Sequence, residues 1–283
     1  MTAHDEPSGT GSAPCLIGPA PRDALHVMSY NLRYPANDPG HLWKDRRPAM
    51  SELLRRERPT VAGTQEGVID QLRDIAADLP GGYEWIGEGR RGGTRDEFTA
   101  VFYDARRLEP REHGHFWLSD TPEVVASRTW GNSIPRMATW VRFTDRGTGG
   151  EFVVVNTHLD HSSEKARVRG ADLLGSTVRS FAPVPTIVTG DFNAPAERSD
   201  AYRRLLAAEL RDVWLEARDR RTPAYATFTA YREPAVGGQR IDWILTTPGI
   251  ASDAAAINPS APGGCAPSDH LPVQALLRLP TAP

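Results

Sequence analysis

Short apolar runs recur along the chain, at residues 26–30, 60–64, 83–86, 99–103, 138–143, 152–156, 186–189, 241–245 and 273–277. They are rich in Val, Ile, Trp and Tyr, and turn residues bound most of them, which is the pattern of β-strands. Residues 46–57, 70–79, 164–181 and 199–210 carry helical periodicity instead. In the third of these, Ala171, Leu174, Val178 and Phe181 fall on one helix face. Strands and helices interleave, but the helix-free stretch from 83 to 156 favours antiparallel pairing there. The mixture predicts an α/β fold of stacked mixed sheets covered by helices, not a purely parallel doubly wound sheet. Residues 1–24 are rich in Gly, Ser, Pro and Ala and have no apolar period, so a flexible, disordered tail is expected there. No linker interrupts 25–280, and one domain is the simpler reading.

Composition narrows the function classes. Hydrophobic residues make up 39% of the 283 residues, enough to fill a sizeable core. The 33 Lys and Arg stand against 36 Asp and Glu, for a net charge of −3. A dedicated high-affinity nucleic-acid binder is usually basic, so the balance counts modestly against one, without excluding a local basic patch. No apolar run approaches the roughly 20 residues that cross a bilayer, so no membrane insertion is expected. No charged-then-apolar leader pattern opens the sequence, and a cytoplasmic location is expected. Cys15 and Cys265 have no metal-ligand spacing and are not expected to pair.

The chemistry concentrates at strand ends. Asp191 and Asn193, in Gly190-Asp191-Phe192-Asn193, follow the run at 186–189. Polar residues at strand ends of such sheets line ligand crevices, with Gly190 allowing a sharp turn. Asp191 could orient or deprotonate a water, and Asn193 could donate to a phosphoryl oxygen. An Asx turn is the ordinary alternative. Glu66 ends the second run and is suited to a hard divalent cation, while Asn31 could add an amide oxygen. A capping Glu and a turn Asn are the ordinary alternatives. His158, in Asn156-Thr157-His158, and His270, in Ser268-Asp269-His270, each need an orienting carboxylate to act as catalysts. Asp242, which is costly to bury alone in an apolar strand, is the candidate for His270. Glu97 is the candidate for His158. Arg136 is equally suited to clamping phosphate oxygens and to a solvated surface face. Arg90-Arg91 and Arg220-Arg221 read as solvated charge runs.

This ordered series, from Asn31 and Glu66 through the motifs at 156–158, 190–193, 240–242 and 268–270, resembles the endonuclease/exonuclease/phosphatase superfamily. The resemblance spans about residues 25 to 280. Each motif alone is weak; their order makes the match specific. It implies a four-layer α/β sandwich, with two packed sheets flanked by helices, and a catalytic domain over 25–283. It also implies Mg²⁺ or Mn²⁺ on Glu66 with Asn31 and Asp269 nearby, Asp191 aligning the attacking water, and Asn193 on the phosphate. His270, held by Asp242, would stabilise developing charge. His158, supported by Glu97, matches the second histidine of the pancreatic-type nucleases, where the apurinic endonucleases have a tyrosine. The segment 116–122 and Ile134-Pro135-Arg136 resemble a bacterial branch of the superfamily.

The leading expectation is therefore a divalent-metal-dependent phosphoester hydrolase acting on a small phosphorylated metabolite, nucleotide or headgroup, with Arg136, Asn193, His158 and His270 on the phosphate. A DNA or RNA nuclease is the second reading. A non-catalytic binding module ranks lowest, because every expected polar residue is present. No protein partner is evident.

Overall fold

The computed structural model describes residues 14–280. In chain order the elements are β1 (Leu25–Asn31), α1 (Trp43–Glu57), β2 (Val61–Gln65), α2 (Ile69–Asp78), β3 (Tyr83–Ile86), β4 (Ala100–Asp104), β5 (Leu108–Trp117), β6 (Met137–Asp145), β7 (Glu151–His158), α3 (Glu164–Ser180), β8 (Thr186–Asp191), α4 (Asp200–Ala207), β9 (Arg211–Asp212), α5 (Val213–Glu216), β10 (Asp219–Arg220), β11 (Asp242–Thr246), β12 (Ala251–Ile257) and β13 (Val273–Arg278). They build a seven-stranded sheet, β10-β12-β13-β1-β2-β4-β3, and a six-stranded sheet, β5-β6-β7-β8-β11-β9. Pairing is mixed: β1 and β2 run parallel, as do β7 and β8, and the pairs inside 83–156 are antiparallel.

Alternation along the central strands explains the layers. Leu25 and Val27 of β1 meet Val141, Phe143, Phe152 and Val154 between the sheets. Met28 and Tyr30 point the other way, onto Met50 and Leu53 of α1 and Leu72 of α2. In β7, Val153 and Val155 turn outward to Leu174 and Val178 of α3 and Leu205 of α4. Strands covered on both faces read as continuous apolar runs, which is why the sequence exposes them. The result is the expected four-layer sandwich.

The sheets do not meet through apolar contacts alone. Asn156 of β7 is fully buried and reaches across to the first sheet. Its Nδ2 donates to the carbonyls of Thr64 and Ala100 at 2.8 and 3.0 Å, and its Oδ1 accepts from Gln65 Nε2 and Thr189 Oγ1 at 2.7 and 3.1 Å. All four hydrogen-bonding positions of the amide are thus used. Gly63 makes room for it: a Cβ there would sit 2.0 Å from Thr189 Oγ1 and 2.6 Å from Asn156 Oδ1.

Two expectations need correction. The part of the expected tail over 1–13 lies outside the described residues, but 14–24 is not loose. The amides of Leu16, Ile17 and Gly18 donate to the buried Glu57 carboxylate, and Ile17 packs on Ala254 and Ala256. Strands β5 and β12 were not expected. β5 carries Pro110, Gly114 and charged residues along a sheet edge, and β12 reads as an alanine-rich segment, so neither shows a β-branched run. Among the described residues no helix is long and apolar enough to cross a membrane, and both cysteines are free.

Gly63→Ala should destabilise the protein by about 1–3 kcal/mol, the usual cost of forcing a methyl into a packed site. Urea unfolding checks this, and an unchanged midpoint would show that the polar seam can give way.

Candidate functional site

The parallel strands deliver their C-terminal ends, and the antiparallel β11 its start, to one edge of the sandwich. There Asn31 (β1), Glu66 (after β2), His158 (β7), Asp191 (β8) and Asp242 (β11) converge, and the loop before β13 adds Asp269 and His270. Register makes Asp191 and Asp242 direct cross-strand neighbours. Both are 1% exposed. Gly190 lies inside β8 and not in a turn; a Cβ on it would sit 2.7 Å from the Thr157 carbonyl, so close approach of the strands requires it.

His270 stands between the two carboxylates. Its Nδ1 donates to Asp242 Oδ2 at 2.9 Å, and its Nε2 lies 3.8 Å from Asp191 Oδ2. Burial opposes its charge, but Asp242 and Asp191 outweigh burial and push the imidazole up to about 10. Burial and then the neighbouring Asp242 push Asp191 up to about 7. Asp191 Oδ1 accepts from the Asn193 amide at 2.9 Å and Oδ2 from Asn31 Nδ2 at 3.0 Å. A carboxylate so held can take a proton from water close to neutral pH.

Glu66 lies at the cleft floor, with Oε1 accepting from Asn31 Nδ2 and Oε2 from the Tyr34 amide. Burial works to raise its pKa, but Asn31, His270 and Tyr34 outweigh it and hold the group ionised. Ligand atoms of Glu66, His158 and Asp191 all lie within 4.8 Å of one another. Two carboxylate oxygens at that separation fit a hard divalent cation. Asn31 turns its amide nitrogen to both carboxylates while its oxygen accepts from the Arg33 amide. Asp269 is engaged by Arg33 Nη1 at 2.9 Å. Glu66, Asn193 and Arg33 all have positive φ, at 63°, 48° and 61°. Such backbone persists only where surrounding contacts enforce it, and it clusters at functional sites.

The expected Glu97–His158 pair does not form. Arg136 Nη1 lies 3.0 Å from His158 Nδ1, and Nη2 lies 2.9 Å from His161 Nδ1. A guanidinium can only donate, so His158 Nδ1 accepts from Arg136. His158 Nε2 lies 2.9 Å from Asn193 Nδ2, which also donates to the Leu159 carbonyl at 3.1 Å, and 3.5 Å from Asp191 Oδ2. Burial and Arg136 hold the His158 pKa far below the usual range, so the ring is neutral. Glu97 instead accepts from Arg90 Nη1 at 2.7 Å, and Arg90 also pairs with Asp96. Burial pushes Glu97 up to about 7, against the pull of Arg90. Arg90 was read as solvated, yet its side chain is only 11% exposed.

Glu66, His158, Asp191, Asn193, Asp269 and His270 line a cleft of about 460 Å³ with Arg90, Glu97 and Arg136, and Arg33, Tyr34, Ile134, His161, Phe228 and Ile241 complete it. The sequence reading missed Arg33, His161 and Arg46. The last is buried and ties Leu32, Arg33 and Pro267 carbonyls together, fixing the loops that carry Arg33 and Asp269. The Asn31-Leu32-Arg33 continuation and the second histidine after His158 were the available signals.

A family model described as "Endonuclease/Exonuclease/phosphatase family" matches residues 28–270. The chain is similar to a mannosyl-6-phosphatase of Bacteroides thetaiotaomicron, with 33% identity over 89% of this chain and 99% of that one, at a TM-score of 0.83. An endonuclease/exonuclease/phosphatase family protein of the same organism aligns at 32% identity over 90% and 98%, with a TM-score of 0.85. The human nocturnin catalytic domain shares the fold at 18% identity over 91% and 95%, with a TM-score of 0.71. No curated protein matches the sequence.

In the metal-free protein, stability should fall from about pH 7 to about pH 10. Folded His270 keeps its proton to about 10, whereas the unfolded side chain releases it near 6.5. Between those values the folded state binds the extra proton, so its stabilising effect is complete below 6.5 and disappears as pH rises through 10. Urea unfolding across this range should show that decline in the wild type and a shallower one in His270→Gln. Parallel curves would contradict the buried imidazolium.

Proposed function

The chain belongs to the endonuclease/exonuclease/phosphatase family, and on that premise we propose that it hydrolyses a phosphoester of a small phosphorylated substrate by metal-assisted attack of water. The observation that carries this is the buried Asp191–His270–Asp242 constellation beside Glu66. Similarity to a mannosyl-6-phosphatase supports a phosphomonoester. The net charge of −3 favours a small substrate over a polymer.

In this reading Glu66 holds the divalent cation, with Asn31 and Asp269 beside it. Such an ion, Mg²⁺ or Mn²⁺, would supply Lewis-acid polarisation of a phosphoryl oxygen. Asp191 accepts the proton of the attacking water at Oδ2. His270 is an imidazolium that offsets the charge developing on the phosphoryl oxygens, and Asp242 fixes its ring so that Nε2 points inward. Asn193 donates to the phosphate, with His158 beside it. Arg136 positions the His158 ring, and its charge also attracts the anion.

Hydrolysis of phenyl phosphate should require Mg²⁺ or Mn²⁺ and stop in excess chelator. Glu66→Gln should raise the metal concentration needed for half-maximal rate. Asp191→Asn and His270→Ala should each lower kcat by about 10²-fold or more. Steady-state kinetics with metal titration check these points, and full activity in chelator would overturn the reading.

A further inference from the structure

One charge in the cleft has no part in that chemistry. A carboxylate lining a phosphate cleft repels the ligand, yet Glu97 lines this one. It is built in deliberately. Arg90 N donates to the Glu97 carbonyl at 2.9 Å, Gly89 bridges Phe98, and Trp117 Nε1 donates to the Arg90 carbonyl at 2.7 Å. Asp96 between them is held at a φ of 72°. Glu97 Oε2 accepts from Arg90, whereas Oε1 has no hydrogen-bond partner among the described residues. The segment thus presents a half-satisfied carboxylate next to a guanidinium. That pair matches a ligand with several hydroxyl groups, since each hydroxyl can donate to the carboxylate and accept from the guanidinium.

The same cleft carries an apolar face. Phe228 is 46% exposed and lies 5.0 Å from the His270 ring. Its backbone is bridged to His270, and the neighbouring Thr227 accepts from the Ile241 and Asp242 amides. An exposed aromatic ring fixed beside the reacting centre offers a surface for the C–H face of a sugar ring.

We propose that Glu97 and Arg90, with Phe228, form a polyol-reading subsite that selects phosphoesters whose organic part is a sugar. The proposal rests on the phosphoester-hydrolase reading above.

The test compares hexose 6-phosphate with phenyl phosphate, which has no hydroxyls, in the wild type, Glu97→Gln and Glu97→Ala with Mn²⁺. The wild type should prefer the hexose phosphate. In Glu97→Ala the ratio of the two kcat/KM values should fall about tenfold or more, the scale of hydrogen bonds to a charged group. The loss should lie mainly in KM for the hexose phosphate, and Glu97→Gln should fall between. An unchanged ratio, or a wild-type preference for phenyl phosphate, would overturn the proposal. A changed metal requirement in Glu97→Ala with the ratio intact would also overturn it, by making Glu97 a metal-site residue. If the wild type hydrolyses neither ester, the hydrolase reading fails on its own. Calorimetry then decides the subsite: hexose 6-phosphate should bind at least about tenfold more tightly than inorganic phosphate, with the difference lost in Glu97→Ala. Equal binding of the two would refute it.

Discussion

Two buried carboxylates side by side are the constraint around which this protein is arranged. Asp191 and Asp242 are partners across adjacent strands, with almost no exposure to water. Left alone, the pair would repel and would lose solvation, so one or both would take up a proton. The fold instead brings a histidine between them from the loop before β13. Ser268 anchors that loop, its Oγ donating to the Asn31 carbonyl at 2.7 Å and accepting from the His270 amide at 3.2 Å. The imidazolium and the Asn31 amide then meet the charge. Stability and reactivity share one origin here, because the contacts that make burial tolerable also set which group gives or takes a proton.

That arrangement needs the two sheets in fixed register. β1 and β2 belong to one sheet and β7, β8 and β11 to the other, so a slip between them would separate Asn31 and Glu66 from Asp191. The fully bonded Asn156 amide over Gly63 supplies the register lock, a single arrangement that apolar packing alone would not specify. Asn156 and His158 are therefore neighbours in one motif with different work. One joins the sheets, and the other faces the cleft.

The central strands were legible because burial on both faces leaves uninterrupted apolar runs, and the site motifs because each polar residue breaks off the end of such a run. Asp242 stood out as an acid inside an apolar strand, and its contact with His270 follows from that cost. The partner of His158 was not legible. Glu97 and Arg136 are both far from it in sequence, and only the folded loops decide that the guanidinium, not the carboxylate, reaches Nδ1. Arg90 illustrates the same limit: an Arg-Arg pair reads as solvated until Asp96 and Glu97 fold back onto the first of the two. The edge strand β5 and the alanine-rich β12 lacked a local signal, since sheet neighbours and not intrinsic preference hold them in place.

The most direct test of the buried ion arrangement is the pH dependence of kcat/KM at saturating metal, compared between the wild type and Asp242→Asn. The wild type should keep its rate above the ordinary histidine range, because Asp242 and Asp191 hold the His270 proton, and removing the Asp242 charge should move the alkaline limb down towards that range. An alkaline limb that stays in place in Asp242→Asn would contradict the account.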